Sequence, residues 1–160
     1  VWFFGAAEAR NFKGTSYLWN EKLLNNSNNK TLIYVTESII DSLSLETIDP
    51  DVKTIALNGL PNYKRLINVL EKNNFKGNLV LAFDNDKSGK MYQDIVKEEL
   101  TKIKVNSFST SIIASIDVKD LNEALIKNKE YLIRNYNYFN DNFKIIIDKN
   151  VKEKENDLEL

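Results

Sequence analysis

Short apolar runs alternate along this chain with longer segments in which apolar residues recur at helical spacing. The runs at residues 31–36 and 79–83 are rich in β-branched, aromatic or aliphatic side chains, which predicts strands buried on both faces. A third strand is predicted at residues 52–57, and at least one more within residues 105–116, where Ile, Val and Phe mix with Ser and Thr. The chain is therefore expected to form a four-stranded sheet.

Helices are predicted between and after these strands. They begin near Ser38, Pro61, Ser88 and Leu121. Proline suits the first turn of a helix because the N–H that it lacks would be unpaired there. This alternation predicts an α/β fold with a mostly parallel sheet and helices on both faces. Right-handed crossovers then bring the carboxyl ends of the strands to one edge, where ligands bind in such folds.

The segments on either side of the alternation differ in composition. We take residues 31–128 as the central domain and residues 1–30 as an N-terminal flank that opens with an aromatic-rich strand at residues 1–4. Residues 129–148 are expected to form a helical, aromatic and Asn-rich C-terminal extension, and residues 149–160 are almost all charged, which predicts a disordered tail. The chain begins with Val rather than Met, so we expect it to be a piece of a longer protein.

Composition narrows the possible chemistry. The 160 residues include no Cys and no His, which excludes disulfides, thiolate zinc sites, Cys nucleophiles and Ser-His-Asp triads. Lys and Arg number 22 against 23 Asp and Glu, so no global positive field attracts nucleic acid, and any such contact must be local. No apolar stretch approaches the roughly 20 residues of a membrane span, so we expect no membrane partner and a cytoplasmic location.

Acidic residues cluster where predicted strands end. The clusters are Glu37 with Asp41, Asp84 with Asp86, and Asp120 with Glu123. Because parallel strands end at a common edge, these carboxylates are expected to converge although they are far apart in sequence. Close carboxylates repel one another unless a cation lies between them, and oxygen ligands suit Mg²⁺ or Mn²⁺ better than zinc. The convergence therefore predicts a divalent-metal site.

Each cluster also has a purely structural interpretation. Asp86 or Ser88 suits the N-cap of the helix that follows. Asp120 and Glu123 have the spacing of a capping box, and Glu37 is favourable at a helix N-terminus through the helix dipole. Taken singly, these roles compete with metal binding. Taken together, the common placement at strand ends favours the metal site.

Residues near the acidic clusters are candidates for supporting roles. Gly59 and Gly89 permit a close approach of the backbone after the second and third strands. Lys87 and Lys90 are placed to contact phosphate, although solvated surface lysines are the more common case. The aromatic residues of segment 17–19 are able to stack on bases, although an aromatic pair at a strand end more often belongs to a core.

With these residues in place, the chain resembles the TOPRIM domain, which bacterial-type primases, topoisomerases and several nucleases share. The family has a Glu after the first strand, often with an Asp four residues on, and these fall on Glu37 and Asp41. Its Asp-x-Asp-x-x-Gly loop after the third strand falls on Asp84, Asp86 and Gly89. The chain departs from the family at Ser38, where many members have Gly.

The resemblance is closest to primase-like proteins of phages and mobile elements. Their Lys-Asp-x-Asn-Glu stretch is matched by Lys119, Asp120, Asn122 and Glu123. Segment 10–20, which contains Arg10 and Lys13, is similar to the basic segment that precedes TOPRIM in primases. The match covers residues 30–128 well and residues 1–30 loosely.

The resemblance implies Mg²⁺- or Mn²⁺-dependent nucleotidyl transfer in RNA primer synthesis. The implied metal ligands are Glu37, Asp84, Asp86 and Asp120, and the implied catalytic residues are Glu37, Asp41, Asp84 and Asp86. Contacts to template or nucleotide phosphates are implied for Arg10, Lys13, Lys87, Lys90 and Lys119. Loop-shaping roles are implied for Gly59, Gly89, Asn122 and Glu123. The implied partners are a single-stranded DNA template, nucleoside triphosphates, and a replicative helicase or other domains of the same longer chain.

Other functions remain open at this point. A TOPRIM nuclease would use the same carboxylates with water as the nucleophile, although the Lys-Asp-x-Asn-Glu stretch and the basic segment favour a primase. A non-catalytic module that binds nucleic acid or protein is a second alternative, against which the retention of all the acids argues. A phosphoacceptor receiver domain is disfavoured, because its acid pair follows the first strand and here the pair follows the third.

Overall fold

Strands and helices alternate along the part of the chain that the structure, a computed structural model, describes: residues 17–110, 112–113 and 117–158. The strands are β1 (Leu32–Thr36), β2 (Thr54–Ala56), β3 (Asn78–Leu81) and β4 (Asn106–Ser109). The helices are α1 (Ile39–Ile48), α2 (Tyr63–Lys72), α3 (Lys87–Lys102), α4 (Leu121–Lys127) and α5 (Lys129–Leu158). Short 3₁₀ helices at Glu21–Leu24 and Leu60–Asn62 precede β1 and α2.

The four strands form one parallel sheet in the order β2-β1-β3-β4. Val35 of β1 is paired with Ile55 of β2 on one side and with Leu81 of β3 on the other. The chain adds β2 on one side of β1 and then crosses to the opposite side for β3. In open α/β sheets, ligands bind outside the carboxyl ends of the strands at such a reversal. The predicted parallel sheet is confirmed, and the residues that follow β1 and β3 stand where a ligand site is expected.

Helices cover both faces of the sheet, as predicted. Successive residues of a strand point to opposite faces, and in β1 Ile33 and Val35 belong to one buried cluster while Tyr34 belongs to another. The first cluster takes its helical residues from α2 and α3, including Leu66, Leu70, Val96 and Leu100. The second takes them from α1, α4 and α5, including Leu45, Leu121, Leu132 and Tyr136.

The region around α2 shows where local turns shift a predicted boundary. The apolar positions Leu66, Ile67 and Leu70 are buried, as their spacing predicts. Pro61, however, lies in a 3₁₀ helix, and α2 begins only at Tyr63. The Asn62 side chain donates to the carbonyl of Leu57 at 2.8 Å, which stabilises this tighter turn.

The C-terminal segment differs most from the sequence-based expectation. A disordered tail was predicted from residue 149, whereas α5 continues as one helix from Lys129 to Leu158. Its buried side chains all lie at or before Ile147: Leu132, Tyr136, Asn140, Phe143 and Ile147. Its first half is docked on the sheet, since Leu132, Tyr136 and Phe143 share a buried cluster with Tyr34 of β1 and Val80 of β3. The second half is rich in Lys and Glu, which are good helix formers, and it extends a helix that is already nucleated by the docked half. Charge alone therefore did not indicate disorder here.

Some predictions fall on residues that the structure does not describe. The predicted strand at residues 1–4 lies there, and so do Arg10 and Lys13. Among the described helices, none combines the length and the apolar character needed to cross a membrane.

Candidate active site

Glu37 lies in the turn between β1 and α1, directly after the strand. The buried hydroxyl of Thr36 donates to the carbonyl of Ser38 at 2.9 Å and so fixes this turn. The carbonyl of Glu37 accepts the N–H of Gly59 at 3.3 Å, and its Oε1 accepts the N–H of Asp84 at 3.1 Å. Glu37 therefore joins the segments that follow β1, β2 and β3 at one edge of the sheet.

The loop after β3 carries Asp84 and Asp86 and leads into α3. Asp86 is the N-cap of α3, since its Oδ1 accepts the N–H of Gly89 at 2.8 Å. A Cβ atom on Gly89 would lie 2.2 Å from the carbonyl oxygen of Asp84 and 3.0 Å from Oε1 of Glu37. The distance to the backbone oxygen of Asp84 is too short for any side chain, and the contact with Glu37 would be tight. Glycine at this position therefore lets the acidic loop fold close to the start of α3.

Gly59 has a different role from the close approach predicted for it. No atom lies within 4 Å of the place where its Cβ would be. Its φ angle of 117° lies in a region that residues with a side chain rarely adopt. Gly59 is thus required by the conformation of the turn after β2.

Asp41 connects α1 to the beginning of α4. Ser38 caps α1 by accepting the N–H of Asp41 at 3.2 Å, and its hydroxyl donates to Oδ2 of Asp41 at 2.6 Å. Oδ1 of Asp41 accepts the N–H of Asn122 at 3.3 Å, while the hydroxyl of Ser44 donates to Oδ1 of Asn122 at 3.3 Å. Asp41 is only 4% exposed: its Oδ1 holds α4 against α1, and its Oδ2 accepts the Ser38 hydroxyl within the cap of α1.

Asp120 and Glu123 shape the start of α4. Asp120 is its N-cap, with Oδ1 accepting the N–H of Glu123 at 2.8 Å. In a capping box the Glu side chain would return to the N–H of the N-cap residue. Here Oε2 of Glu123 accepts the N–H of Lys119, one residue earlier, at 2.7 Å. The capping interpretation of this pair is confirmed in a shifted form.

Lys119 brings the third acidic cluster into contact with the second. The N–H of Asn85 donates to its carbonyl at 2.6 Å. Its Nζ atom lies 3.4 Å from Oδ2 of Asp84 and 3.7 Å from Oδ2 of Asp86. Asp86 therefore uses Oδ1 to cap α3 and presents Oδ2 to a cation, so that capping and cation binding are compatible in this residue. The sequence predicted Lys119 as a phosphate contact but not these acidic partners.

Burial and mutual repulsion change the ionisation of the acids. Burial, followed by the charge of Asp84, raises the pKa of Glu37 to about 7. Burial, followed by the charge of Asp41, raises the pKa of Asp84 to about 6, although Lys119 acts in the opposite direction. Burial also raises the pKa of Asp41. Negative charge is thus concentrated in a partly buried place, where a divalent cation would relieve the repulsion.

The donors at this edge fit a hard divalent cation. They are all oxygens, the ammonium of Lys119 already stands between Asp84 and Asp86, and Gly89 keeps the loop close. Among the described residues, no three acidic side chains form a group that could hold a metal ion as they stand. Mg²⁺ is commonly held by one or two carboxylates, with water and substrate phosphates as its other ligands. The ligand set Glu37, Asp84, Asp86 and Asp120 stays a prediction.

The lysines near the acidic loop lie on the solvent side of the site. Lys87 is the first residue of α3 and Lys90 lies in the same turn, and both are exposed. The phosphate contacts of these two lysines stay a prediction.

Two aromatic residues lie at the carboxyl end of β2. The N–H of Trp19 donates to the carbonyl of Ala56 at 2.9 Å, and the side chain of Asn58 donates to the carbonyl of Tyr17 at 3.2 Å. Tyr17 is 66% exposed and Trp19 is 37% exposed, whereas Leu18 between them is buried. The core interpretation of the aromatic pair is therefore wrong, and stacking on a ligand stays a prediction.

Arg65 is a residue at this edge that the sequence did not single out. Its guanidinium lies 5.9 Å from the ring centre of Tyr17 and makes a bidentate pair with Glu21 at 2.6 and 2.8 Å. The pair orients the arginine beside an exposed aromatic ring. In the sequence, an Arg on the polar face of an amphipathic helix looks the same whether it is paired or only solvated. The sequence therefore gave no indication that Arg65 has these partners.

Comparison with known proteins identifies a family. The model of the Toprim-like family matches residues 34–125, which is more than half of the chain. This segment begins within β1, includes α1 and the loop after β3, and extends into α4. No curated protein matches the chain.

Solved structures share the fold. The primase fragment of the bacteriophage T7 primase-helicase protein is 24% identical, with a TM-score of 0.55 over 73% of this chain and 46% of that one. A structure of the bacteriophage T7 lagging-strand DNA polymerase, interacting with primase domains bound to an RNA/DNA hybrid and dTTP, gives 20% identity and a TM-score of 0.56. It covers 73% of this chain and 57% of that one. This chain thus spans about half the length of the solved chains that it matches.

Proposed function

We propose that this chain, which belongs to the Toprim-like family, is the catalytic domain of a primase-like protein and supports Mg²⁺-dependent nucleotidyl transfer in primer synthesis. One observation carries the proposal: three distant acidic segments meet at the edge of the sheet where its winding reverses. The bond from Asp84 N–H to Glu37 and the ion pair between Asp84 and Lys119 join these segments directly.

Each residue then has a role that its surroundings support. Asp84 and Asp86 would hold the cation together with Asp120 or Glu37. The bound cation supplies neutralisation of the charge on the transferring phosphate. Glu37 would act as a metal ligand or as a general acid/base; in the metal-free protein, burial and the charge of Asp84 raise its pKa to about 7. Asp41 acts through the bonds that hold α4 in place.

The choice of a primase over a nuclease rests on the Lys-Asp-x-Asn-Glu stretch, which spans the start of α4. Two of its residues help to assemble the site: Asn122 is held by Asp41, and Glu123 holds the backbone of Lys119. The expected partners are a single-stranded DNA template, nucleoside triphosphates and a replicative helicase. A replication role would place the protein in the cytoplasm.

The first experiment is a calorimetric titration of Mn²⁺ into the parent and into the double variant Asp84→Asn/Asp86→Asn. A control with the same change in charge is Asp94→Asn/Glu130→Gln, since both residues are exposed and lie outside the acidic clusters. We expect the site variant to bind at least about tenfold more weakly, which corresponds to about 1.4 kcal/mol, and the control to bind like the parent. Equal binding by all three proteins would remove the basis of the proposal.

The second experiment separates the reaction types. The protein is given ribonucleoside triphosphates and a single-stranded DNA template, and in parallel a labelled strand. Template-dependent oligoribonucleotides that disappear in Asp84→Asn/Asp86→Asn would support the primase. Strand cleavage without synthesis would assign the site to a nuclease, and metal binding without either activity would favour a non-catalytic binding module.

A further inference from the structure

The ammonium group of Lys119 lies between two carboxylates at the centre of the candidate site. Its Nζ atom is 3.4 Å from Oδ2 of Asp84 and 3.7 Å from Oδ2 of Asp86. The side chain of Asp84 is only 12% exposed, whereas that of Lys119 is 59% exposed. The lysine thus reaches from solvent over a partly buried acid.

The backbone of Lys119 is fixed from both sides. Its carbonyl accepts the N–H of Asn85 at 2.6 Å, and its own N–H donates to Oε2 of Glu123 at 2.7 Å. The root of the side chain is therefore held beside the acidic loop by two short bonds, while the long side chain extends toward the carboxylates from solvent. The ammonium is able to leave without any change in the backbone.

We propose that Lys119 is an internal counter-cation, which neutralises Asp84 and Asp86 in the metal-free protein and gives way when a divalent cation binds. The inference rests on the proposed function, because it requires these carboxylates to take a metal. An ammonium and a divalent cation that share the same carboxylate oxygens repel each other, so the two states exclude one another. Lys119 consequently stabilises the metal-free protein and weakens the apparent affinity for metal.

The test compares the parent with Lys119→Met, and Lys102→Met serves as the matched control. Lys102 is also a lysine with two acidic partners, Glu98 and Glu99, but it ends α3 and lies about 20 Å from the helix start that carries the site. Mn²⁺ is titrated by calorimetry, and the unfolding midpoint of each metal-free protein is measured in urea with EDTA.

Lys119→Met should bind Mn²⁺ about three- to tenfold more tightly, as the loss of a competing exposed ion pair predicts. The same variant should have a lower metal-free midpoint because the repulsion between the acids is no longer compensated. Lys102→Met should bind Mn²⁺ like the parent. A lysine with only a structural role would lower the stability and the metal affinity together, so the opposite directions identify the counter-cation.

A spectroscopic measurement tests the displacement itself. The Cε–Hε signals of labelled lysines are followed by NMR during a titration with diamagnetic Mg²⁺, and Lys119→Met assigns the relevant signal. We expect the Lys119 signal to move toward that of a free lysine as the site fills, while the Lys102 signal stays in place. A Lys119 signal that does not change at saturating Mg²⁺ would overturn the displacement.

The outcomes distinguish this inference from the proposed function. If the parent binds Mn²⁺ and Lys119→Met binds it equally or more weakly, the counter-cation is refuted while the metal site stands. If neither protein binds Mn²⁺, the proposed function fails, and the role of Lys119 fails with it.

Discussion

The metal-free protein should lose stability as the pH rises from 5 to 8, and Glu37→Gln should remove most of this loss. The chain contains no His, so no side chain with an ordinary pKa titrates in this interval. We therefore assign any change of stability with pH in this interval to the perturbed carboxyl groups. These are chiefly Glu37, with a pKa of about 7, and Asp84, with a pKa of about 6.

The sign follows from proton binding. An acid whose pKa is higher in the folded than in the unfolded protein holds its proton more tightly when folded. Its contribution to stability is full below the unfolded pKa and is lost as the pH rises through the folded pKa. For Glu37 this window runs from the ordinary value of 4.5 to about 7.

The magnitude can be worked from the same window. One pKa unit corresponds to about 1.4 kcal/mol, so the roughly two units that lie between pH 5 and 7 give an upper limit of about 3 kcal/mol for Glu37. Because the site is partly open to water, we expect about 1–2 kcal/mol. Asp84 adds a smaller loss of stability, most of which has occurred by about pH 6.

The assay is urea denaturation in EDTA at half-unit steps between pH 5 and 8. Gln in place of Glu37 keeps an oxygen for the N–H of Asp84, which now lies 3.1 Å from Oε1, so the fold should be retained. Glu130→Gln is the control, because Glu130 is an exposed acid in the first turn of α5. Saturating Mg²⁺ at pH 8 should restore much of the stability that the parent loses.

Two results would contradict this reasoning. A parent curve that is flat or rises between pH 5 and 8 would show that the carboxyl groups are not destabilised by burial and repulsion. A parent-like slope in Glu37→Gln would show that the loss originates elsewhere.

Two further changes test the packing of the site, again by urea denaturation. Gly89→Ala should cost at least about 2 kcal/mol, because its Cβ would lie 2.2 Å from the carbonyl oxygen of Asp84; a neutral effect would mean that the loop is not closely packed. Asp41→Ala should cost about 2–3 kcal/mol by leaving the Asn122 N–H and the Ser38 hydroxyl without their acceptor. Asp41→Asn keeps one acceptor oxygen and should cost less; an equal cost in both variants would contradict this role.

Much of the central fold could be predicted because its signals are local. The buried strands β1 and β3 are visible in the sequence as continuous apolar runs. The helices α2 and α3 are visible as apolar residues that recur at helical spacing. The predicted start of α2 was wrong by two residues, because Pro61 lies in a 3₁₀ helix that precedes it. The helical C-terminal half of α5 was missed because high charge was interpreted as disorder, although the docked first half nucleates the helix.

The sequence predicted which acidic segments meet, but not how their side chains are bonded. Glu37 and Asp84 were expected to lie together because residues after parallel strands share one edge, and the bond from the N–H of Asp84 to Glu37 joins them. The metal-ligand set that includes Asp120 stays a prediction. The capping bonds of Asp86 and Asp120 were open alternatives, and the structure shows that one carboxylate oxygen satisfies each cap. Arg65 could not have been found, because its partners Tyr17 and Glu21 are more than forty residues away in sequence.

The sequence by itself determined the strand and helix periods, the absence of thiol and imidazole chemistry, and the acidic residues that follow the strands, since each depends on residue type and nearby spacing. Tertiary structure alone decided the order β2-β1-β3-β4, the contact of Lys119 with Asp84 and Asp86, and the raised pKa of Glu37. These depend on burial and on distances between groups far apart in the chain. Desolvation and Coulomb interactions act through space, and only the folded chain fixes the distances on which they depend.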